Sequence, residues 1–175
     1  MTDLQFPIGR FAPSAEPLPS DAREALVARI AAIPSRVRAA VVGLTEDQMD
    51  TAYREGGWSP RQIAHHLADS HMNAFVRIKL ALTEDNPTIK PYDQERWAVQ
   101  ADVTDVPVDL SLAILEGLHG RWVRLLRSLD GAGFARTVYH PEHGEVSVDF
   151  FLQLYAWHGD HHVSQIEGLR AREGW

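Results

Sequence analysis

Two histidines lie one helical turn apart on the apolar face of the last predicted helix. His158 and His162 share that face with apolar and aromatic side chains at helical spacing: Phe151, Leu154, Tyr155, Ile166 and Leu169. Such a face is expected to point into a protein core, where each imidazole nitrogen needs a partner. A metal ion held by both neutral rings meets that need. The fold must therefore bury this face of the last helix.

Three other segments have the periodicity of amphipathic helices. The first follows Ser20 and carries apolar residues at spacings of three and four, Leu26, Ile30, Ile33, Val37 and Val41. Pro34 lies inside it and is expected to bend it. The second follows the run Ser59-Pro60-Arg61-Gln62, a complete helix-start signal, and is expected to end near Leu82.

The third segment runs from about Val108 to Leu129 and is preceded by a long connection from Asn86 to Pro107. The connection contains three prolines and a predicted helical fragment from Tyr92 to Val99. A connection of this length is either a plain crossover or a lid over a functional site, and the sequence leaves both interpretations open.

Together with a last helix from about Asp149 to Arg170, these segments favour an all-α, antiparallel four-helix bundle. The 175 residues suit a single domain spanning residues 1–175. Four prolines predict an extended leader over residues 1–19. A short hairpin or an extended loop is expected before the last helix.

The composition excludes several classes of function. The chain has no cysteine, which excludes disulfides, thiolate ligands and a cysteine nucleophile, so any thiol must come from a substrate. A formal net charge of -7 argues against a nucleic-acid partner. No stretch approaches the roughly 20 apolar residues of a membrane span. Residues 1–10 lack a signal-peptide pattern, so we expect a cytoplasmic protein without a membrane partner.

A third histidine strengthens the metal-site interpretation. His66 lies on the inward face of the second predicted helix, near its start. His66, His158 and His162 can therefore supply three nitrogens from two helices and leave coordination positions open for water or substrate. These residues alone do not identify the metal, because imidazole binds zinc, nickel, copper and iron.

The remaining histidines are expected to contribute less. His119 lies inward on the third helix and is a possible fourth ligand. The others are expected at the rim, at the surface or in a solvated turn: His65, His71, His161, His140 and His143. Asp69 and Asp160 are candidate acceptors for the free nitrogen of a metal-bound histidine, although a solvated position suits both acids equally well.

Several segments resemble the YfiT group of the DinB superfamily. The runs that carry the resemblance extend from one end of the chain to the other: Phe6–Gly9, Tyr53–Gln62, His65–Asn73, Lys90–Asp93, Leu118–Trp122 and Trp157–His162. A likeness of this extent is more specific than a four-helix pattern with histidines.

The resemblance implies a four-helix bundle with one divalent metal ion per chain, Zn²⁺ or Ni²⁺, on three histidines. Carried over by motif position, these are His66, His158 and His162, the same three that helical periodicity selects. It also implies a homodimer and a metal-dependent hydrolase. Related DinB-type enzymes are transferases or isomerases that use a low-molecular-weight thiol such as bacillithiol.

We therefore expect a metal-dependent enzyme that acts on a small-molecule substrate by activating a nucleophile at the metal. Hydrolysis usually needs a nearby carboxylate as a base, and the sequence places none there. This absence favours a thiol S-transferase, which joins a bacillithiol-type thiol to an electrophile, over a metal-dependent hydrolase that uses water. The third alternative is a non-catalytic metal-binding bundle.

Overall fold

Four long helices contain most of the chain in the computed structural model, which describes residues 3–175. They are α1 (Ser20–Val41), α3 (Pro60–Thr83), α6 (Val108–Arg127) and α8 (Val148–Glu173). Single-turn helices lie between them: α2 (Glu46–Met49), α4 (Gln94–Trp97), α5 (Ala101–Thr104) and α7 (Gly131–Phe134). The predicted all-α four-helix bundle is confirmed. None of the helices of residues 3–175 is long and apolar enough to cross a membrane.

The long helices pack in a closed ring. α1 packs against α6 and α8, and α3 packs against the same two helices. α1 and α3 follow one another in sequence but occupy opposite corners of the bundle. The centre is filled by fully buried side chains from all four helices, among them Ile30, Ile33, Ile63, Leu67, Leu115, Trp122, Leu152 and Ile166.

The start of α3 is determined by its local sequence. Ser59 Oγ accepts a hydrogen bond from Gln62 N–H at 3.3 Å, and Gln62 Oε1 accepts one from Ser59 N–H at 3.0 Å. Pro60 occupies the first helical position. This reciprocal cap satisfies two backbone donors and fixes where the helix begins. It therefore also fixes the level of His66, which follows within two turns.

The leader runs along α8. Trp157 Nε1 donates a hydrogen bond to the carbonyl oxygen of Gly9 at 3.2 Å. Residues 3–19 contain neither helix nor strand, and residues 1–2 of the predicted leader lie outside the described residues. The leader covers a side of α8 that would otherwise face solvent.

A short hairpin precedes α8, as one of the two predicted alternatives. Strands β1 (Thr137–His140) and β2 (Gly144–Ser147) pair antiparallel, with Val138 opposite Val146. Val146 and Val138 are buried against the bundle. The hairpin therefore closes one end of the core and leads directly into α8.

The long connection between α3 and α6 is fastened over α3. Arg77 Nη2 donates to the carbonyl oxygen of Lys90 at 3.1 Å, and Gln62 Nε2 donates to that of Ala98 at 3.0 Å. The predicted helical fragment is the single turn α4. These bonds hold α4 beside the start of α3, close to His66.

Gly159 allows α1 to approach α8 next to His158. A Cβ atom at Gly159 would lie 2.2 Å from Ile33 Cδ1 and 2.6 Å from Ile33 Cγ1. Ordinary contacts between carbon atoms are about 3.5–4.0 Å. Ile33 is fully buried, so the new methyl group would force a core side chain to shift. The spacing of α1 and α8 therefore depends on the missing side chain.

We expect Gly159→Ala to lower the free energy of unfolding by about 1–3 kcal/mol, because the new methyl group overpacks the α1–α8 contact. The matched control is Gly120→Ala in the interior of α6, where a Cβ atom would meet nothing within 4 Å. It should leave stability unchanged or raise it by up to about 1 kcal/mol. Urea denaturation measures both effects, and equal effects would contradict the packing role of Gly159.

Candidate metal centre

The structure brings the three predicted ligands together at one point. His66 comes from α3, and His158 and His162 come from successive turns of α8. One ring nitrogen of each lies within 4.8 Å of those of the other two. The Nε2 atoms of His66 and His158 are 3.2 Å apart. No other ligand-type side chain among residues 3–175 joins this cluster.

Burial keeps these rings neutral. Desolvation lowers the pKa of His66 to about 3 and holds the pKa values of His158 and His162 well below the usual range for histidine, an effect that the neighbouring imidazoles reinforce. A neutral imidazole has one unprotonated nitrogen with a lone pair, the form in which histidine binds a metal.

Gln165 determines which nitrogen of His162 carries that lone pair. Its Nε2 donates to the carbonyl oxygen of Gln5 at 3.1 Å, so its Oε1 faces His162 Nδ1 at 2.8 Å. An amide oxygen can only accept, so His162 Nδ1 donates and Nε2 is left unprotonated. The chemistry of the donor set therefore fits a divalent cation such as Zn²⁺ or Ni²⁺.

An indole ring covers the cluster on the side of the long connection. The ring centroid of Trp58 lies 4.5 Å from that of His66 and 6.0 Å from that of His162. Trp58 Nε1 donates a hydrogen bond to Glu95 Oε2 on α4 at 3.1 Å. This bond ties the connection to the indole ring that covers the cluster.

A pocket of about 270 Å³ opens onto the cluster. His158 and His162 line it, together with residues of the leader, the α2–α3 loop, α4 and α8, including Phe6, Tyr53, Arg54, Trp58, Glu95 and Trp157. A larger groove of about 640 Å³ lies between α1 and α6, but it contains none of the three candidate ligands. The smaller pocket is therefore the candidate substrate site.

The expectation that His65, His71 and His161 lie at the rim or surface is wrong, since all three are buried. His140, expected in a solvated turn, is buried as well. α6 and the connection cover the outer side of α3, and the leader covers that of α8. His65 Nδ1 lies 2.8 Å from Ser111 Oγ on α6, and the His161 ring lies 5.7 Å from that of Phe6. The periodicity of one helix does not indicate which other segments will pack over its outer side.

His119 is not placed as a fourth ligand. Its Nδ1 lies 2.7 Å from the carbonyl oxygen of Ile30, and its Nε2 lies 2.8 Å from His71 Nδ1. Both ring nitrogens are therefore occupied within the core. The candidate centre keeps three protein ligands.

The two acids considered as partners of the ligands have other roles. Asp160 forms ion pairs with Arg29 and Arg36 of α1. Asp69 makes no recorded contact with a ligand ring, and burial raises its pKa to about 6. The groups that do contact ligand nitrogens are Gln165 and His71.

Three residues of the site were missed by the sequence analysis: Glu95, Gln165 and His71. The available signals were weak. Glu95 lies in a connection already suspected to be a lid, and Gln165 lies one turn after His162 on the same helix.

A second histidine group lies at the hairpin turn and is a poorer metal site. His140, Glu142 and His143 place one ligand-type atom each within 4.8 Å of the others. However, His140 Nδ1 accepts a hydrogen bond from Glu142 N–H at 3.1 Å. A neutral ring then carries its proton on Nε2, which leaves no lone pair for a cation.

Comparison with known families and sequences gives consistent matches. A family model described as the DinB superfamily matches residues 8–166. A protein of Bacillus cereus (strain ATCC 10987 / NRS 248) is 47% identical over all 175 residues, covers 100% of both chains and is named "Putative metal-dependent hydrolase". A protein of Bacillus thuringiensis subsp. konkukian (strain 97-27) has the same identity and coverage and a name of the same kind.

Solved structures share the architecture. YfiT from Bacillus subtilis, described as a probable metal-dependent hydrolase with an unusual four-helix bundle topology, matches with a TM-score of 0.95 and 41% identity over 98% of each chain. TT2238, a four-helix bundle protein, matches with a TM-score of 0.58 and 19% identity over 83% of this chain and 98% of its own. The second match supports the fold alone.

Replacing Gln165 with leucine should weaken the binding of Zn²⁺ and Ni²⁺ by about 10–100-fold, because His162 loses the acceptor that orients it. Gln153→Leu is the matched control, since Gln153 also lies on α8 and holds the leader through Ser14 but contacts no ligand. Competition with a chelator measures both affinities. Equal affinities for the two variants would contradict the orienting role.

The metal-free protein should lose stability below pH 6.5. Burial lowers the pKa of His119 to about 4, whereas the unfolded chain has a value near 6.5. As the pH falls from 6.5 towards 4, only the unfolded state binds this proton, so the free energy of unfolding decreases. His119→Gln should reduce that pH dependence by about 1 kcal/mol per pH unit near pH 5. Denaturation at several pH values tests this, and an unchanged slope would contradict it.

Proposed function

The chain belongs to the DinB superfamily, and we propose that it is a metal-dependent hydrolase whose single divalent cation, Zn²⁺ or Ni²⁺, is held by His66, His158 and His162. The observation that carries the proposal is the convergence of three neutral imidazoles, two buried and one half-buried, beside a pocket. The names of the full-length relatives support the hydrolase class.

Three protein ligands without a fourth correspond to the ligand number of catalytic rather than structural zinc sites. A divalent cation there supplies Lewis acidity, which lowers the pKa of a coordinated water or thiol and polarises the group under attack. The protein supplies the lone pairs of its ligands and a pocket walled by aromatic rings.

Glu95 is the candidate general base. Its Oε2 is held by Trp58 Nε1, which leaves Oε1 to accept a proton from an attacking water. The preference for a thiol transferase depended on the absence of a carboxylate near the ligands. Glu95 lines the same pocket as His158 and His162, so that reason no longer applies. Hydrolysis is now the better-supported reaction.

Arg54 indicates the charge of the substrate. Its Nε donates to the Tyr53 hydroxyl at 3.0 Å and its Nη1 to the Glu55 carbonyl oxygen at 2.8 Å. These bonds fix the guanidinium at the pocket wall, and Nη2 makes no recorded bond within the described chain. We infer a small substrate with an anionic group, which a guanidinium binds well, and with an apolar portion that packs on the aromatic walls.

The second candidate is the thiol S-transferase, and Arg54 also favours it. Low-molecular-weight thiols of the bacillithiol type carry carboxylates that a guanidinium would bind, and the chain itself has no thiol. In this reaction Glu95 would accept the thiol proton. A homodimer and a cytoplasmic location remain predictions from the sequence.

Alanine at His66, His158 or His162 should abolish stoichiometric metal binding while helicity is kept, as measured by elemental analysis and circular dichroism.

Glu95→Gln should retain the metal but reduce kcat on a panel of ester and amide substrates by about 10²–10⁴-fold. Glu55→Gln is the control, because Glu55 is exposed near the pocket without lining it.

The same panel, extended with bacillithiol and a chloro-aromatic acceptor, separates the alternatives. Conjugation of bacillithiol to a chloro-aromatic acceptor, without turnover of esters or amides, would place the transferase first. Stoichiometric metal with neither activity would indicate a non-catalytic metal-binding bundle. Full activity of the Glu95→Gln protein would remove Glu95 from the mechanism.

A further inference from the structure

A chain of imidazoles on α8, α3 and α6 leads away from the cluster into the core and ends at α1. His158 Nδ1 on α8 lies 3.2 Å from His71 Nε2 on α3. His71 Nδ1 lies 2.8 Å from His119 Nε2 on α6. His119 Nδ1 lies 2.7 Å from the carbonyl oxygen of Ile30 on α1. The path therefore ends on a backbone group.

Pro34 explains why the Ile30 oxygen is available. In a regular helix this oxygen accepts a hydrogen bond from the N–H of residue 34, but proline has none. The proline ring also crowds the carbonyl four residues before it. A buried carbonyl without a donor costs free energy, and His119 supplies that donor.

The carbonyl oxygen fixes the proton positions along the path. It can only accept, so His119 Nδ1 carries the proton of that ring and Nε2 accepts from His71 Nδ1. By the same rule, His71 Nε2 accepts from His158 Nδ1. The other nitrogen of His158, Nε2, is left with its lone pair and lies within the cluster.

The surroundings of His71 and His119 keep both rings neutral, as these proton positions require. His71 is 0% exposed and His119 is 2% exposed. Their other neighbours are aromatic, with Trp122 against both rings and Tyr155 against His71. Such an environment disfavours a charged imidazolium.

We propose that His71 and His119 are positioning residues that hold His158 in the tautomer required of a metal ligand, with the Ile30 carbonyl as the fixed end. The inference rests on the proposed function, since it takes His158 as a ligand. The proposal does not include proton transfer along the path, because the carbonyl oxygen at its end has no proton to exchange. Gln165 and the Gln5 carbonyl act on His162 in the same way.

The first test uses the metal-free wild-type protein. Long-range ¹H–¹⁵N correlation spectra of ¹⁵N-histidine-labelled protein near neutral pH report which ring nitrogen is protonated. We expect the proton on Nδ1 in His71, His119 and His158, whereas free histidine prefers Nε2. A proton on Nε2 of His158 or His71 would overturn the proposal.

The second test changes the distant member of the path. His119→Phe removes the acceptor of His71, so His158 should shift towards the Nε2-protonated tautomer, and Zn²⁺ affinity should fall about tenfold. His119→Gln keeps an acceptor and should retain the wild-type tautomer and affinity. His140→Phe is the matched control, because His140 is also a buried histidine but lies in the hairpin.

The outcomes distinguish the two proposals. If the wild-type protein binds no stoichiometric metal, the proposed function fails, whereas the tautomers of the metal-free protein still test the path. If metal binds and His119→Phe changes neither the His158 tautomer nor the affinity, the path fails and the proposed function stands. If His119→Phe does not fold, the wild-type spectra and His119→Gln decide.

Discussion

The structure depends on one electrostatic constraint, the burial of ring nitrogens with lone pairs at a single point. Burying a polar atom without a partner costs free energy, so His66, His158 and His162 need either donors or a cation. His158 and His162 each use Nδ1 as a donor to another side chain. Their remaining nitrogens face the cluster, and a cation satisfies them together.

Backbone carbonyl groups elsewhere in the bundle help to orient the candidate ligands. The hydrogen bonds that orient the candidate ligand His158 end at the Ile30 carbonyl in α1, and those that orient the candidate ligand His162 end at the Gln5 carbonyl in the leader. Pro34 frees the first carbonyl, and the missing side chain of Gly159 lets α1 pack closely against α8 beside His158. Features that have no chemistry of their own, a proline in a helix and a glycine in another, thus contribute to the site.

The convergence of the three candidate ligands could be predicted because it depends on local geometry. His158 and His162 are one turn apart, and the cap at Ser59 fixes the level of His66, so helical periodicity alone places all three inward. The burial of His71 and the nearness of Glu95 could not be predicted in this way. The first depends on how α6 lies on α3, and the second on how the connection folds back over the bundle. Both are tertiary events without a periodic signal. Without Glu95, the sequence favoured the thiol S-transferase over the hydrolase, because no carboxylate base was predicted near the candidate ligands.

The account is tested most directly by anomalous X-ray diffraction at the zinc and nickel absorption edges, from crystals of protein supplied with each metal. It predicts one anomalous peak per chain, about 2.0–2.1 Å from Nε2 of His66, His158 and His162, with no other protein ligand. The absence of a peak at the three histidines, or a fourth side chain that completes the coordination of the metal, would contradict it.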